Sequence, residues 1–499
     1  MSRSGKVVSG VFWGAIMNVL SAVYGFISVP ILLDYFGKGE YGLIGLATSV
    51  NVYVQLMDLG MSSTNVRFFS VALAKKEYVK LNKLFQSTTA FYGVIGIINA
   101  LILIGAAFFS DEIFNVTPEQ DVIMKQLFYI LAAMAVVNWY TSSFYQMINA
   151  TENVAWGTKL SIIPRIWMLV VLFVTVYCKM DIVLYFLLTY ASLIITIPAL
   201  VKKINREVKC LKFWPSFDKN TFREILPYGL NVFSFGFFQF SFYNLRPVFL
   251  GMQGSPEDVA DFRVLNGIAG TAMMFASPVM SALLPSSSRI IANKDKTAYY
   301  KLAYSGTLFM TLIISFCCFG LMSVAPELIE LYVGKNYLHL VVWLNIWLFF
   351  ILGNHNQCIS SLILAGSDIR AITYISIFSS IMGLVLTWLL IPIYGVGGAI
   401  VALAVYMTSQ IGFYYLYYWP KVMEIDSLRV FSRSFAPYAI VGLSTALFIS
   451  FYVHFGFSLA GEILGKGILF MIVFISLSFC IMSKENRQYL LQLVLKRRK

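Results

Sequence analysis

The run VNVYVQLMDLGMSSTN, residues 50 to 65, carries Asn51, Gln55, Asp58, Ser62 and Asn65 at successive helical turns inside a long apolar stretch. At about 100° per residue these five fall within an arc of roughly 80°, a polar stripe on one helix face. A carboxylate at the centre of a span costs about 2.5 to 3.5 kcal/mol on insertion scales, so it belongs against a watery cavity or a polar partner. Two roles for Asp58 follow: coupling an ion to movement, or locking a helix seam beside a buried cation. A related stripe opens the second half of the chain, where Asn231, Ser234, Gln239, Ser241 and Arg246 span an arc of roughly 160°. Arg246 stays cationic at any relevant pH and presents planar, bidentate donors suited to a phosphate. Arg165 follows Pro164, a residue that bends a span and frees carbonyls toward a cavity. These two arginines form the candidate anion-binding pair, with Asn51, Gln55, Asn231 and Gln239 as neutral hydrogen-bonding groups. In GNHNQ, residues 353 to 357, His355 is either a proton relay or a hydrogen-bonded interior residue. Arg67, Lys159 and Asp34 read as groups near the membrane interface.

The elements that must hold these groups are membrane spans. Of 499 residues, 59% are hydrophobic and 12% charged, a composition that excludes an ordinary soluble protein. Windows of roughly 20 apolar residues give about fourteen spans, near 7–33, 42–72, 84–109, 123–149, 155–178, 182–202, 224–250, 259–288, 302–326, 338–365, 369–392, 396–419, 434–457 and 463–483. The run after Arg3 and Lys6 is longer than a signal-peptide core and reads as the first retained span. With both termini cytoplasmic, 28 of the 37 Lys and Arg residues fall on inner loops and tails, six on outer loops, and Arg67, Arg165 and Arg246 within spans. That bias follows the positive-inside rule. It assigns the net charge of +13 to the anionic inner leaflet rather than to nucleic acid.

Weak matches at nearly one offset relate the two halves: VPILLDYFG (29–37) with RPVFLGMQG (246–254), 72–84 with 289–302, and 147–163 with 362–378. They predict an all-α integral membrane protein with two parallel six-helix lobes, 1–201 and 224–419, joined by a cytoplasmic linker, 202–223. A cytoplasmic loop (420–433), two additional helices (434–483) and a basic tail (484–499) follow. Parallel repeats place a substrate path at their interface near the midplane.

Signals for catalysis, metal or cofactor are weak. The six cysteines lack CxxC spacing or a companion histidine cluster, GEILGKG (461–467) lacks the spacing of a phosphate-binding loop, and no outer loop is long enough for a catalytic domain. No catalytic residue, metal or cofactor is expected, and transport must draw on an ion gradient, the membrane potential or downhill substrate flow.

PILLDYFGKGEYGLIGL (30–46), DLGMSSTNVRFFSVALAKKEYVKLNKLFQST (58–88) and LLIPIYGVGGAIVALA (389–404), in a fourteen-span frame, resemble the multidrug/oligosaccharidyl-lipid/polysaccharide exporter superfamily. Within it the resemblance is to the polysaccharide transporter branch that contains the Wzx-type O-antigen flippases. It implies two lobes that open alternately to cytoplasm and periplasm in a bacterial inner membrane. A polyprenyl-diphosphate-linked oligosaccharide would pass head first while its tail stays in membrane lipid, with polysaccharide assembly proteins as further partners. Cavity cations of such proteins carry over to Arg165 and Arg246. KGEYG after the first span, in place of a DAF-type motif, sets the chain apart from lipid II flippases. The nearest rival is a cation-coupled multidrug exporter of the same superfamily, which cavity arginines disfavour. A membrane glycosyltransferase or polymerase would need acids on larger outer loops than 110–122 and 251–261.

Overall fold

The structure, a computed structural model, describes residues 3–151, 153–208, 211–365 and 370–488; within the helices some side chains, including those of 231–232, 234–235 and 274–286, lie outside the description. Every regular element among the described residues is helical, as hydrocarbon requires, because a helix satisfies its backbone groups internally. Among the described residues, eleven helical segments are long and apolar enough to cross a membrane. They agree with the apolar windows: the first, Phe12–Asp58, serves two windows, and 224–250 and 259–288 lie on the more polar helices Lys219–Gln253 and Pro256–Ala292. The chain is a multi-pass, all-α membrane protein.

Two backbone breaks shape the N-terminal helices. Helix α1 covers Arg3–Val54, 52 residues with one non-helical position, Gly37 at φ 79° and ψ 169°. An unbroken helix of that length would extend about 78 Å, more than twice the roughly 30 Å of hydrocarbon, so the bend at Gly37 divides it into two crossings. Glycine suits the site because a side chain disfavours that backbone region. The second break lies inside the window 42–72. A 3₁₀ turn, Gln55–Asp58, is followed by Leu59 and Gly60, both left-handed at φ 49° and 71°, before helix α2 begins at Met61 and runs to Ala74. The continuous helix assumed for the polar stripe is therefore interrupted at its centre.

Packing divides the chain into two compact units, Met1–Ala260 and Asp261–Lys499. In the first, α1 and α2 pack with α3 (Tyr78–Phe108), α4 (Pro118–Ala150), α5 (Val154–Cys178), α6 (Ile182–Glu207) and α7 (Lys219–Gln253). A capping box of Thr117 and Gln120, with Pro118 in the first turn, starts α4 by satisfying otherwise orphaned backbone donors. The chain entering α7 is tied to α3. Lys212 N donates to Asn82 Oδ1 (2.8 Å), Gln86 Nε2 to the Trp214 carbonyl (3.0 Å), and Asp218 N to Ser87 Oγ (3.0 Å). Asp218 caps α7 by accepting from Thr221 N and lies 3.4 Å from Lys83. The Thr221 amide, aided by Lys83, holds its carboxyl below the usual range, so this anchor is present at neutral pH and is lost only as pH falls through that lowered range. Near the opposite end of the unit, a Cβ on Gly42 would stand 1.8 Å from the Pro256 carbonyl oxygen. Glycine alone permits that approach.

The second unit contains most of α8 (Pro256–Ala292), then α9 (Thr307–Ser323), α10 (Ala325–Val333), α11 (Val341–Ile351), α12 (Gln357–Ala365), α13 (Arg370–Tyr394), α14 (Val396–Phe413), α15 (Ala436–Tyr452) and α16 (Leu459–Ile481). Three π-helical turns, Leu302–Gly306, Tyr414–Tyr418 and Val430–Phe435, adjoin these helices. The last helix is pinned by an ion pair: Lys466 Nζ, 0% exposed, lies 2.5 Å from Glu327 Oε1 on α10. One turn before it, Glu462 Oε1 accepts the amides of Phe455, Gly456 and Phe457, closing the loop that joins α15 to α16.

Two substitutions test these contacts by thermal unfolding in detergent. Gly42→Ala should cost about 1–3 kcal/mol by forcing α1 off the Pro256 backbone; an unchanged midpoint would refute the close approach. Lys466→Met leaves Glu327 buried without its cation and should cost about 3–5 kcal/mol, whereas Lys466→Met combined with Glu327→Gln should recover much of the loss.

Candidate functional site

Because α1 stops at Val54 and α2 starts afresh at Met61, Asp58 stands at a chain break rather than on a helix face. Its carboxylate serves the new helix: Oδ2 accepts from Ser62 N (3.1 Å) and Oδ1 from Ser62 Oγ (2.8 Å). The first of these satisfies a helix-start amide that a broken span would otherwise expose. Asp58 Oδ1 also accepts from Tyr92 Oη of α3 at 2.7 Å.

From Tyr92 a chain of hydrogen bonds continues inward. Gln146 Nε2, on α4, donates to Tyr92 Oη (2.7 Å) and Ser62 Oγ (3.1 Å). Asn65 Nδ2 donates to Gln146 Oε1 (2.9 Å), and Thr88 Oγ1 donates to Asn65 Oδ1 (3.1 Å). Every donor in the series Thr88, Asn65, Gln146, Tyr92 points toward Asp58, an arrangement in which each bond polarises the next. The series runs from fully buried Thr88, Asn65 and Tyr92 to half-buried Asp58 and exposed Ser62, and the Tyr92 ring stacks on Trp139 with centroids 5.5 Å apart. The carboxylate thus joins α2 to α3 directly and to α4 through Tyr92 and Gln146. Among the described residues no group of three or more His, Cys, Asp or Glu is placed to hold a metal ion.

The other sequence-derived residues lie on α1, on the turn that follows it, on α5 and α7, and in the second unit. Asn51 is half-buried and Gln55 exposed, both on the α1 side of the break. Arg165 is half-buried on α5, with Nη1 3.8 Å from Met168 Sδ. Arg246 is 2% exposed on α7, its guanidinium 5.1 and 5.3 Å from the ring centroids of Phe242 and Tyr243. Gln239 on α7 is exposed, and the side chain of Asn231 lies outside the described residues. In the second unit His355 is 1% exposed; Nδ1 is 2.8 Å from the Leu352 carbonyl, Nε2 is 2.7 Å from Tyr415 Oη, and the ring packs on Phe435. Both nitrogens are thus engaged with protein groups. Lys159 is exposed with Nζ over the Trp13 ring at 4.5 Å.

Sequence reasoning missed Tyr92, Gln146, Thr88 and Trp139. A signal was present: on α4, Trp139, Ser142, Ser143 and Gln146 recur at spacings of three and four, and on α3 Thr88 and Tyr92 are one turn apart. Each stripe is weaker than that of 50–65 because it carries no charge.

A double-mutant cycle tests the series. Tyr92→Phe removes the donor to Asp58 and the acceptor for Gln146, and should destabilise by about 1–3 kcal/mol. Paired with Asp58→Asn, the losses should be non-additive by about 0.5–3 kcal/mol. Additive losses in thermal unfolding would mean that the two side chains do not act together.

Residues 7–291, more than half of the chain, match the family described as polysaccharide biosynthesis protein. A curated relative, the uncharacterized membrane protein EpsK of Bacillus subtilis (strain 168), is 34% identical over 87 residues, an alignment that spans 17% of each chain. Among solved structures, the lipid II flippase MurJ in an inward closed conformation superposes with a TM-score of 0.74 at 15% identity, covering 94% of this chain and 99% of that one. An inward-facing multidrug resistance MATE family transporter of the MOP superfamily gives 0.62 at 14% identity, covering 82% and 96%. At these identities the likeness is one of fold. The chain belongs to the polysaccharide biosynthesis protein family and has the fold of the multidrug/oligosaccharidyl-lipid/polysaccharide exporter superfamily.

Proposed function

We propose that the protein is a flippase that carries a polyprenyl-diphosphate-linked oligosaccharide from the cytoplasmic to the periplasmic leaflet of a bacterial inner membrane by alternating access, for surface polysaccharide assembly. The observation that carries this reading is a directed polar network at a mid-span helix break, in a multi-pass chain of the polysaccharide biosynthesis protein family. Broken helices expose backbone only where they line a cavity or meet protein groups. The reading has both termini cytoplasmic, two repeat-related lobes with a path between them, and no chemistry performed on the substrate.

In this mechanism Arg165 and Arg246 receive the diphosphate, each offering two parallel N–H donors to its oxygens. Asn51, Gln55, Asn231 and Gln239 hydrogen-bond the sugars, while the prenyl chain remains in lipid. Arg246 is covered in this state, so its part requires α7 to move, and diphosphate binding supplies the differential free energy that favours the open arrangement. Asp58 couples an ion: loss or gain of charge there alters the acceptor on which Tyr92, Gln146 and the start of α2 converge. His355, held by Leu352 and Tyr415, is assigned a lesser part in coupling. A multidrug exporter remains the second reading because its fold is shared, but two arginines are poor hosts for a cationic drug.

Reconstitution into vesicles with a labelled undecaprenyl-diphosphate oligosaccharide tests the proposal. The pair Arg165→Ala and Arg246→Ala should lower the flipping rate at least about tenfold, the loss of roughly one charge-assisted hydrogen bond, with Arg→Lys variants intermediate. Unchanged flipping by the double variant would remove the diphosphate role from these residues. Asp58→Asn should abolish dependence of the rate on pH or sodium; a variant that responds like the parent would reduce Asp58 to a structural cap.

A further inference from the structure

The second unit holds a polar cavity that the translocation reading does not use. It encloses about 900 Å³ where three candidate spans terminate together: the start of Lys296–Ser323, the start of Ser427–Tyr452, and the end of Leu459–Ile481. Span ends mark the level of lipid headgroups. The adjoining segments carry Lys294, Lys296, Lys421 and Lys484.

The lining has both signs of charge. Lys301, Arg429 and Arg433 are exposed cations, the two arginines one turn apart, and Glu424 and Glu485 are exposed anions. The carboxylate of Asp426 is turned to another task, accepting the backbone amide of Arg429 at 3.0 Å. Among the described residues Arg433 has no acidic partner within ion-pair distance. Arg429 is pre-ordered: its guanidinium lies 4.4 Å from the centroid of the Tyr304 ring, leaving its edge donors directed away from that face. Tyr304 is itself fixed, since its hydroxyl accepts Asp426 N (3.1 Å), its carbonyl accepts Ser434 Oγ (2.9 Å), and its ring stacks on Tyr300. The π-helical turns Leu302–Gly306 and Val430–Phe435 form two of the walls, and such turns often mark binding sites.

Beyond Leu308, Tyr438 and Met482, the same two helices continue as an apolar groove of about 710 Å³, bordered by Leu312 and Phe316 of α9 and by Phe470, Phe474 and Ile475 of α16. A polar cavity at headgroup level followed along the same helices by an apolar groove has the shape and polarity of one amphiphile. We propose that this is a binding site for a single phospholipid whose headgroup bears a phosphodiester and an ammonium, as phosphatidylethanolamine does. Arg429 and Arg433 take the phosphodiester, Glu424 and Glu485 the ammonium, and one acyl chain lies in the groove. A lining of both signs favours a headgroup that carries both charges over a purely anionic one, which brings no cation of its own to Glu424 and Glu485. The site tethers α16 to the first turns of Lys296–Ser323, so its occupancy bears on the stability of that helix pair.

Native mass spectrometry of the full chain, purified and delipidated in detergent, tests this with phosphatidylethanolamine, phosphatidylglycerol and undecaprenyl phosphate as separate probes. The expected result is one phosphatidylethanolamine retained per chain, with affinity about tenfold above that for phosphatidylglycerol. Arg429→Ala with Arg433→Ala should weaken its retention about tenfold. Glu485→Gln should narrow the preference between the two phospholipids. Ile475→Trp, filling the groove from its open side, should reduce retention with the charges intact. Equal or stronger binding of phosphatidylglycerol or undecaprenyl phosphate by the parent protein overturns the proposal, as does full retention of phosphatidylethanolamine by the double arginine variant.

Discussion

The carboxylate of Asp58 accepting Ser62 N, Ser62 Oγ and Tyr92 Oη is the interaction on which the first unit turns. A break in the middle of a span exposes amides that hydrocarbon cannot satisfy. An acid placed four residues before Ser62 meets that need and, in doing so, brings α2 against α3. Gln146 extends the contact to α4, and Asn65 and Thr88 carry it into the interior. Backbone break, polar series and helix packing are thus one arrangement, in which the charge of a single side chain is felt across three helices.

The second unit meets the same constraint differently. Its buried charge is neutralised locally, Lys466 on Glu327, and Glu462 is occupied by three amides. An ion pair at 0% exposure on the lysine side depends on its geometry, because either charge alone would bear a large desolvation cost. It ties α16 to α10. Glycines play the complementary part. At Gly42 and Gly442, where a Cβ would stand 1.8 Å from the Pro256 carbonyl oxygen and 2.3 Å from the Phe319 ring, the missing side chain sets how closely neighbouring elements approach.

Much of the fold was legible as hydropathy. Apolar windows near 84–109, 123–149, 155–178 and 182–202 lie on α3, α4, α5 and α6, because length and polarity alone select helices that cross a membrane. The window 42–72 also lies on helices, but the wheel drawn through it failed at Gln55–Gly60. A wheel assumes constant rotation, and two left-handed residues end it. Asp58 was singled out by its charge in an apolar run. Its neutral partners Tyr92 and Gln146 come from distant stretches of chain, and hydrogen-bonding capacity in a sequence carries no address.

By itself the sequence determined that the chain crosses the membrane many times and which residues inside the spans carry charge. These follow from transfer free energies, which depend on residue type and near neighbours. The tertiary structure decided that Gly37 folds one long helix into two crossings, that Asp58 caps a broken helix, and that Arg246 lies buried beside the rings of Phe242 and Tyr243. It also decided that Lys466 meets Glu327, 139 residues away. Such outcomes depend on which helices lie side by side, and in a bilayer that choice rests on close packing and on pairing polar groups across helices.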